Sequence, residues 1–202
     1  MIFNIKIFVK VKPSAKIEKV AMLLKSGAIG VIPTDTIYGI CGLAFNKKIV
    51  EKIYKLRKRN PNKPFIILIS SIYDLKKFGV KLSNYQKKFL IKVWPGKVSV
   101  ILKCPLKKFV YLHRGTKTLA FRMPKNKELE KILKIAGPLI APSANLEGNK
   151  PAKNIKEARK YFGDKVFYYN GGNMAGKSST LIDSTAKEIM VLRKGADYNK
   201  II

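Results

Sequence analysis

GGNMAGKSST (171–180) contains the pattern GxxxxGKS between Gly171 and Ser178. Read alone, that pattern is a P-loop, and a P-loop would make the chain a nucleotidase. Such a loop works because the helix after it turns its first amides and its dipole toward the phosphates. VFYYN (166–170) can serve as the strand in front. Behind the loop comes SSTLIDSTAKEIMVLR, which carries no apolar stripe at helical spacing. It reads as two strands, STLID (179–183) and EIMVLR (188–193). Without the helix the pattern is a chance match in a chain rich in Lys and Gly, and Lys177 is not assigned to phosphate.

Outward from this stretch, strand and helix patterns alternate. AIGVI (28–32), FIILIS (65–70) and PLIA (138–141) are short apolar runs bounded by Gly or Pro, as buried strands are. KVSVILK (97–103) puts Val98, Val100 and Leu102 on one face of a strand, and TLAFR (118–122) is a further strand. In 46–58, Ile49, Val50, Ile53 and Tyr54 recur at helical spacing behind an Asn46 cap. Residues 126–136 form a helix capped by Asn126 and ended by Gly137-Pro138, and 71–93 hold two short helices around Gly79 and Ser83. Asn154 and Glu157 make a capping-box-like start for a helix ending at Gly163. The N-terminal MIFNIKIFVKVK alternates apolar residues with Lys and reads as a strand rather than a secretion signal. The expected fold is α/β: a twisted open mixed sheet flanked by helices, one domain over residues 1–202.

Composition narrows the function. With 202 residues, 47% of them hydrophobic, the chain can bury a core, yet no apolar run is long enough to span a bilayer. Two cysteines give no disulfide framework, and a single His argues against a histidine-rich metal site. A cytoplasmic protein with no membrane role is expected. The net charge is +30, from 42 basic and 12 acidic residues. That field suits polyanions, but 36 of the basic residues are scattered Lys, which also fits a coding bias. Arg is scarce, at six residues, and is therefore the informative cation.

Four stretches stand out; the first exceeds what a turn requires, while the third, taken alone, reads as an ordinary turn. PTDTIYG (33–39) leaves a buried strand, where open α/β folds place ligands. RKRNPNKP (57–64) sets Arg57, Arg59 and Lys63 in a loop able to hold phosphate oxygens, although a solvated basic helix end fits as well. APSAN (141–145) turns Ser143 and Asn145 the same way. Ser178 and Ser179 begin one strand, while Arg193 and Arg122 each end another.

In order, PTDTIYG, IYKLRKRNPNKP, WPGKVSVIL, LAFRMP, APSAN, STLID and LRKG resemble the YrdC/TsaC family, the threonylcarbamoyl-AMP synthases, from about residue 17 to 196. The resemblance is to the short, single-domain form, without the extra C-terminal domain of longer members. It implies synthesis of L-threonylcarbamoyladenylate and pyrophosphate from L-threonine, bicarbonate and ATP, for tRNA modification. The product then passes to a downstream threonylcarbamoyl transferase complex. It places ATP on Arg57, Arg59, Lys63, Thr118, Ser143, Asn145 and Arg193, with Mg²⁺ carried by the nucleotide and no protein metal site. It places threonine on Thr34, Thr36, Tyr38, Arg122 and Ser179, with Arg122 on the carboxylate. No side chain is expected as nucleophile or base. The alternative on the same fold is a non-catalytic binder of double-stranded RNA or tRNA. Three departures from the family pattern stand out: Arg57 where Lys is usual, Lys97 and Ser99 for Pro and Thr, and Ile40-Cys41 for Leu-Gly.

Overall fold

The structure, a computed structural model, describes residues 13–201. The strand expected in MIFNIKIFVKVK lies outside the described residues. The described residues begin with α1 (Pro13–Lys25), followed by β1 (Gly30–Pro33), β2 (Tyr38–Leu43), α2 (Lys47–Arg57) and β3 (Ile66–Leu68). A 3₁₀ turn over Ile72–Phe78 leads to α3 (Asn84–Val93), β4 (Val98–Lys103), the single turn α4 (Val110–His113) and β5 (Thr118–Arg122). Then come α5 (Lys127–Ala136), β6 (Leu139–Ile140), α6 (Ile155–Phe162), β7 (Phe167–Tyr168), β8 (Thr180–Asp183) and β9 (Met190–Arg193).

Among the described residues, nine strands form one open mixed sheet in the order β7-β1-β2-β6-β3-β5-β4-β8-β9. Alternation along each strand sends neighbouring residues to opposite faces. Ile32, Cys41, Leu68 and Leu139 face Ile17, Val20, Ala21 and Leu24 of α1 and Leu129, Ile132 and Leu133 of α5. Their neighbours Val31, Ile40, Ile67 and Ile140 join the larger core, with Val50 and Ile53 of α2, Phe78, Phe121 and Phe162. Burying each such side chain stabilises the fold by roughly 1.5–3 kcal/mol, and the one-residue phase of the strands fixes which helices cover which face.

The caps expected from sequence form. Asn46, Ser83, Asn126 and Asn154 each accept from the backbone N–H three residues on, and Gly79 closes the 3₁₀ turn at a positive φ of 71°. One strand escaped the sequence reading: YGICGL, counted as part of a turn, is β2, antiparallel to β1 with Val31 opposite Ile40. Its two glycines hide it, because they supply no alternating side chains. The strands expected over 28–32, 138–141, 166–170 and 188–193 are shorter or shifted, at 30–33, 139–140, 167–168 and 190–193.

The stretch from Gly171 to Ser178 is irregular and runs into β8 with no helix behind it. Its glycines answer to packing. A Cβ on Gly176 would stand 2.3 Å from the carbonyl oxygen of Thr36, and one on Gly171 would stand 2.7 Å from Pro33. The Tyr38 hydroxyl donates to the Gly172 carbonyl at 2.8 Å and accepts from the Gly171 N–H at 2.9 Å. The loop is therefore a close lining of the 33–39 turn.

Candidate functional site

Two clusters of the expected residues form. The first joins the end of α2 to the loop after β6. Arg57, buried at 2% exposure, donates from Nε to the Asn145 carbonyl at 3.0 Å. Its Nη2 donates to Asn145 Oδ1 at 3.0 Å and to Ser143 Oγ at 3.2 Å. Asn145 in turn donates from Nδ2 to the carbonyls of Leu146 and Asn149. Burial pulls the Arg57 guanidinium down to about 10, with Arg59 adding to the shift and Glu147 and Tyr54 opposing it, so the group stays charged at neutral pH. Arg57 thus fixes the two side chains of APSAN that a nucleotide could meet.

Beyond the helix end, Lys58 takes a left-handed conformation and throws Arg59 to Lys63 outward as a loop. Arg59 lies over the Phe65 ring at 5.4 Å and donates from Nε to the Lys63 carbonyl at 3.2 Å. Phe65 stacks on Tyr54 at 4.0 Å, and Arg114, paired with Glu51 at 2.9 Å, caps that ring at 3.9 Å. This column of cation, ring, ring and cation braces the loop from below. At the tip, the Glu147 carboxylate meets Lys63 Nζ at 3.2 Å and Arg59 Nη1 at 3.9 Å, and accepts from the Asn60 N–H.

The second cluster gathers the 33–39 turn, the end of β5 and the starts and ends of β4, β8 and β9. Thr34 Oγ1 donates to the Ile37 carbonyl at 2.6 Å and lies 3.1 Å from Thr36 Oγ1. Arg122 Nη2 reaches Asp35 Oδ1 at 3.0 Å and Thr36 Oγ1 at 3.5 Å. The Arg122 and Asp35 side chains are 4% and 2% exposed, and neither Asp35 oxygen has a hydrogen-bond donor among the described residues. Ser179 Oγ lies 2.9 Å from Ser99 Oγ, both buried. Arg193 grips the Ser179 carbonyl with Nε at 3.1 Å and Nη2 at 2.9 Å. Partial desolvation lowers the Arg193 guanidinium below its ordinary value, and the positive charge of Arg122 adds to the shift.

The clusters share a wall. Gly39 bridges to Ser143 across β2, and the Ile40 and Ala144 N–H groups donate to the Pro142 and Tyr38 carbonyls. Arg193, expected with the ATP residues, sits in the second cluster. Thr118 stands apart: it begins β5 while Arg122 ends it, and its hydroxyl bonds only to Thr116 among the described residues. Three contributors were not assigned from sequence. Asp35 lies inside the quoted PTDTIYG, Ser99 was seen only as a departure, and Glu147 follows APSAN by two residues. Chain order gave no signal for Glu147, which lies 84 positions after Lys63.

Cys41 does not turn the third departure into chemistry. Burial pushes its thiol up to about 12, against a weaker opposing pull from Arg122. Among the described residues no three His, Cys, Asp or Glu cluster as a metal site would need, and no helix is long and apolar enough to cross a membrane.

The chain is also similar to known proteins. The threonylcarbamoyl-AMP synthase of Bacillus subtilis is 31% identical over 189 residues, covering 92% of this chain and 54% of that protein. That of Photorhabdus laumondii is 29% identical over 161 residues, covering 78% and 85%. The crystal structure of Pyrococcus abyssi Sua5 complexed with L-threonine superposes with a TM-score of 0.82 at 26% identity, over 92% of this chain and 56% of that one. The chain thus spans about half the length of the Bacillus and Pyrococcus relatives. The Sua5/YciO/YrdC family model, described as "Telomere recombination", matches residues 22–195, and the chain belongs to that family.

Proposed function

We propose that the protein is a threonylcarbamoyl-AMP synthase, making L-threonylcarbamoyladenylate and pyrophosphate from L-threonine, bicarbonate and ATP for tRNA modification. The observation that carries this reading is the pairing of two unlike cationic sites through one wall. One is a solvent-facing loop of Arg59 and Lys63 backed by Arg57, Ser143 and Asn145. The other is a pocket of buried Arg122 with the buried hydroxyls of Thr34, Thr36 and Ser179, with Arg193 at its exposed rim holding the Ser179 carbonyl. A triphosphate fits the first and an amino-acid carboxylate the second.

The reaction needs the threonine amine to add to bicarbonate with loss of water, giving a carbamate. A carbamate oxygen then attacks the α-phosphorus of ATP, and pyrophosphate leaves. No side chain need form a bond, so the work is positioning and charge neutralisation. Arg122 would hold the threonine carboxylate, with Asp35 keeping its guanidinium in place and Thr34, Thr36 and Ser179 orienting the hydroxyl and amine ends. Arg59 and Lys63 would take the leaving phosphates, while Ser143 and Asn145, fixed by Arg57, meet the nucleotide. Tyr38 would hold the glycine loop against the pocket to exclude water from the labile carbamate. The surrounding cations suit phosphate oxygens, so Mg²⁺ would arrive on ATP and screen its charge. The adenylate would pass to a transferase acting on tRNA, in the cytoplasm.

Formation of adenylate from labelled bicarbonate, with and without threonine, tests the reading. Wild type is expected to release pyrophosphate only with both co-substrates. Arg59→Ala and Ser143→Ala should abolish that release, while Lys177→Ala should not. RNA binding without any pyrophosphate release would favour the non-catalytic alternative instead.

A further inference from the structure

Only 12 of 202 residues are acidic, yet one of them sits against the loop that carries Arg59 and Lys63. Glu147 contacts Lys63 Nζ at 3.2 Å and Arg59 Nη1 at 3.9 Å, and its second oxygen takes the Asn60 N–H. Two cations and a backbone amide converging on one set of oxygens is how proteins hold a phosphate group. The Glu147 carboxylate therefore occupies a phosphate's place. The same residue anchors its own backbone to the opposite loop, its N–H donating to the Arg57 carbonyl at 2.9 Å. Its side chain is 27% exposed and Lys63 61%, so solvent and a competing anion can reach the contact.

We infer that Glu147 is a resident counter-ion of the 57–64 loop, an affinity-setting residue that the β,γ-phosphates of ATP displace and that returns as pyrophosphate leaves. This deepens the synthase reading and rests on it for the identity of the anion. An exposed ion pair is weak enough to exchange on each turnover. It still spares the loop from holding like charges together when no ligand is present. The Asn60 N–H, with Lys63 and Arg59 assisting against a small desolvation cost, holds the carboxyl below the usual glutamate range. The contact therefore persists wherever an ordinary glutamate is ionised and opens only on stronger acidification.

Glu147→Gln keeps the shape of the side chain and removes the charge. Calorimetric titration with inorganic pyrophosphate should show the variant binding roughly three- to tenfold more tightly than wild type, an exposed ion pair's worth. Product inhibition by pyrophosphate should deepen in parallel. The gain should vanish when Lys63→Met is added, because the two changes act on one contact. Equal or weaker pyrophosphate binding by Glu147→Gln would overturn the inference, as would an undiminished gain in the double variant or no binding by either protein. The synthase reading fails separately. Tightened pyrophosphate binding together with no threonine- and bicarbonate-dependent adenylate would keep the counter-ion and discard the reaction.

Discussion

Arg122 with Asp35 and Arg59 with Glu147 are both guanidinium–carboxylate pairs, but their surroundings differ. The first is 4% and 2% exposed at 3.0 Å; the second is 22% and 27% exposed at 3.9 Å. Water screens the second and leaves it exchangeable, whereas the first lies where attraction and desolvation are both large. Burial makes one pair part of the fold and exposure makes the other part of the ligand cycle. The sharpest way to break this contrast is to remove one partner from the buried pair. Arg122→Met leaves Asp35 charged and alone, at a cost of about 3–5 kcal/mol. For a chain of this length that is a drop in melting temperature on the order of 10 °C, read by thermal denaturation. Adding Asp35→Asn should recover much of that stability while pyrophosphate release stays lost. Recovery of release in the double variant would mean that Arg122 acts only on the fold.

Arg57 lies between these extremes, buried at the end of α2 just before a loop that faces solvent. It uses its fork, with Nε and Nη2 both engaged on Ser143 and Asn145. A lysine keeps the charge but offers one nitrogen, so Arg57→Lys forfeits at least one charge-assisted bond, roughly 1.5–3 kcal/mol. The Michaelis constant for ATP should rise about tenfold as Ser143 and Asn145 lose their orientation, with the threonine constant little changed. An ATP constant unchanged in Arg57→Lys would show that the fork is incidental. The loop between them ties its cations only loosely, and Glu147→Gln tests that end of the comparison.

The elements that sequence exposed were those in which one rule acted alone. The α5 stripe of Leu129, Ile132 and Leu133, its Asn126 cap and its Gly137 end agree with one another, and that helix forms as read. The chance P-loop was legible too, because the following residues lack a helical stripe. β2 was hidden because Gly39 and Gly42 carry no pattern, although a Cβ on Gly42 would come within 2.4 Å of Ile49. The site was legible as residue types and not as partners. Arg122 could be marked for an anion, but nothing in the chain order announces that Asp35, 87 positions earlier, already holds it. Arg193 fell into the pocket with Arg122 rather than beside Ser143 because β8 and β9 pair antiparallel, with Arg193 opposite Leu181. Register of that kind is a tertiary outcome.

The smallest expected effect concerns Cys41, a buried thiol on β2 that feels the charge of Arg122. A thiol reacts as its thiolate. Burial holds Cys41 up to about 12 and Cys104 up to about 11, in both cases as the dominant cause. At pH 8 both are overwhelmingly protonated, and both side chains are enclosed. Iodoacetamide should therefore leave pyrophosphate release unchanged in the folded protein. Two equivalents should be taken up once the chain is unfolded in denaturant, as mass spectrometry would count. Rapid labelling of the native protein with loss of activity would mean that the pocket opens far enough to expose β2. The sealed, preset character assigned to the Arg122 side of the molecule would then be wrong, and the contrast with the exchangeable loop would fail with it.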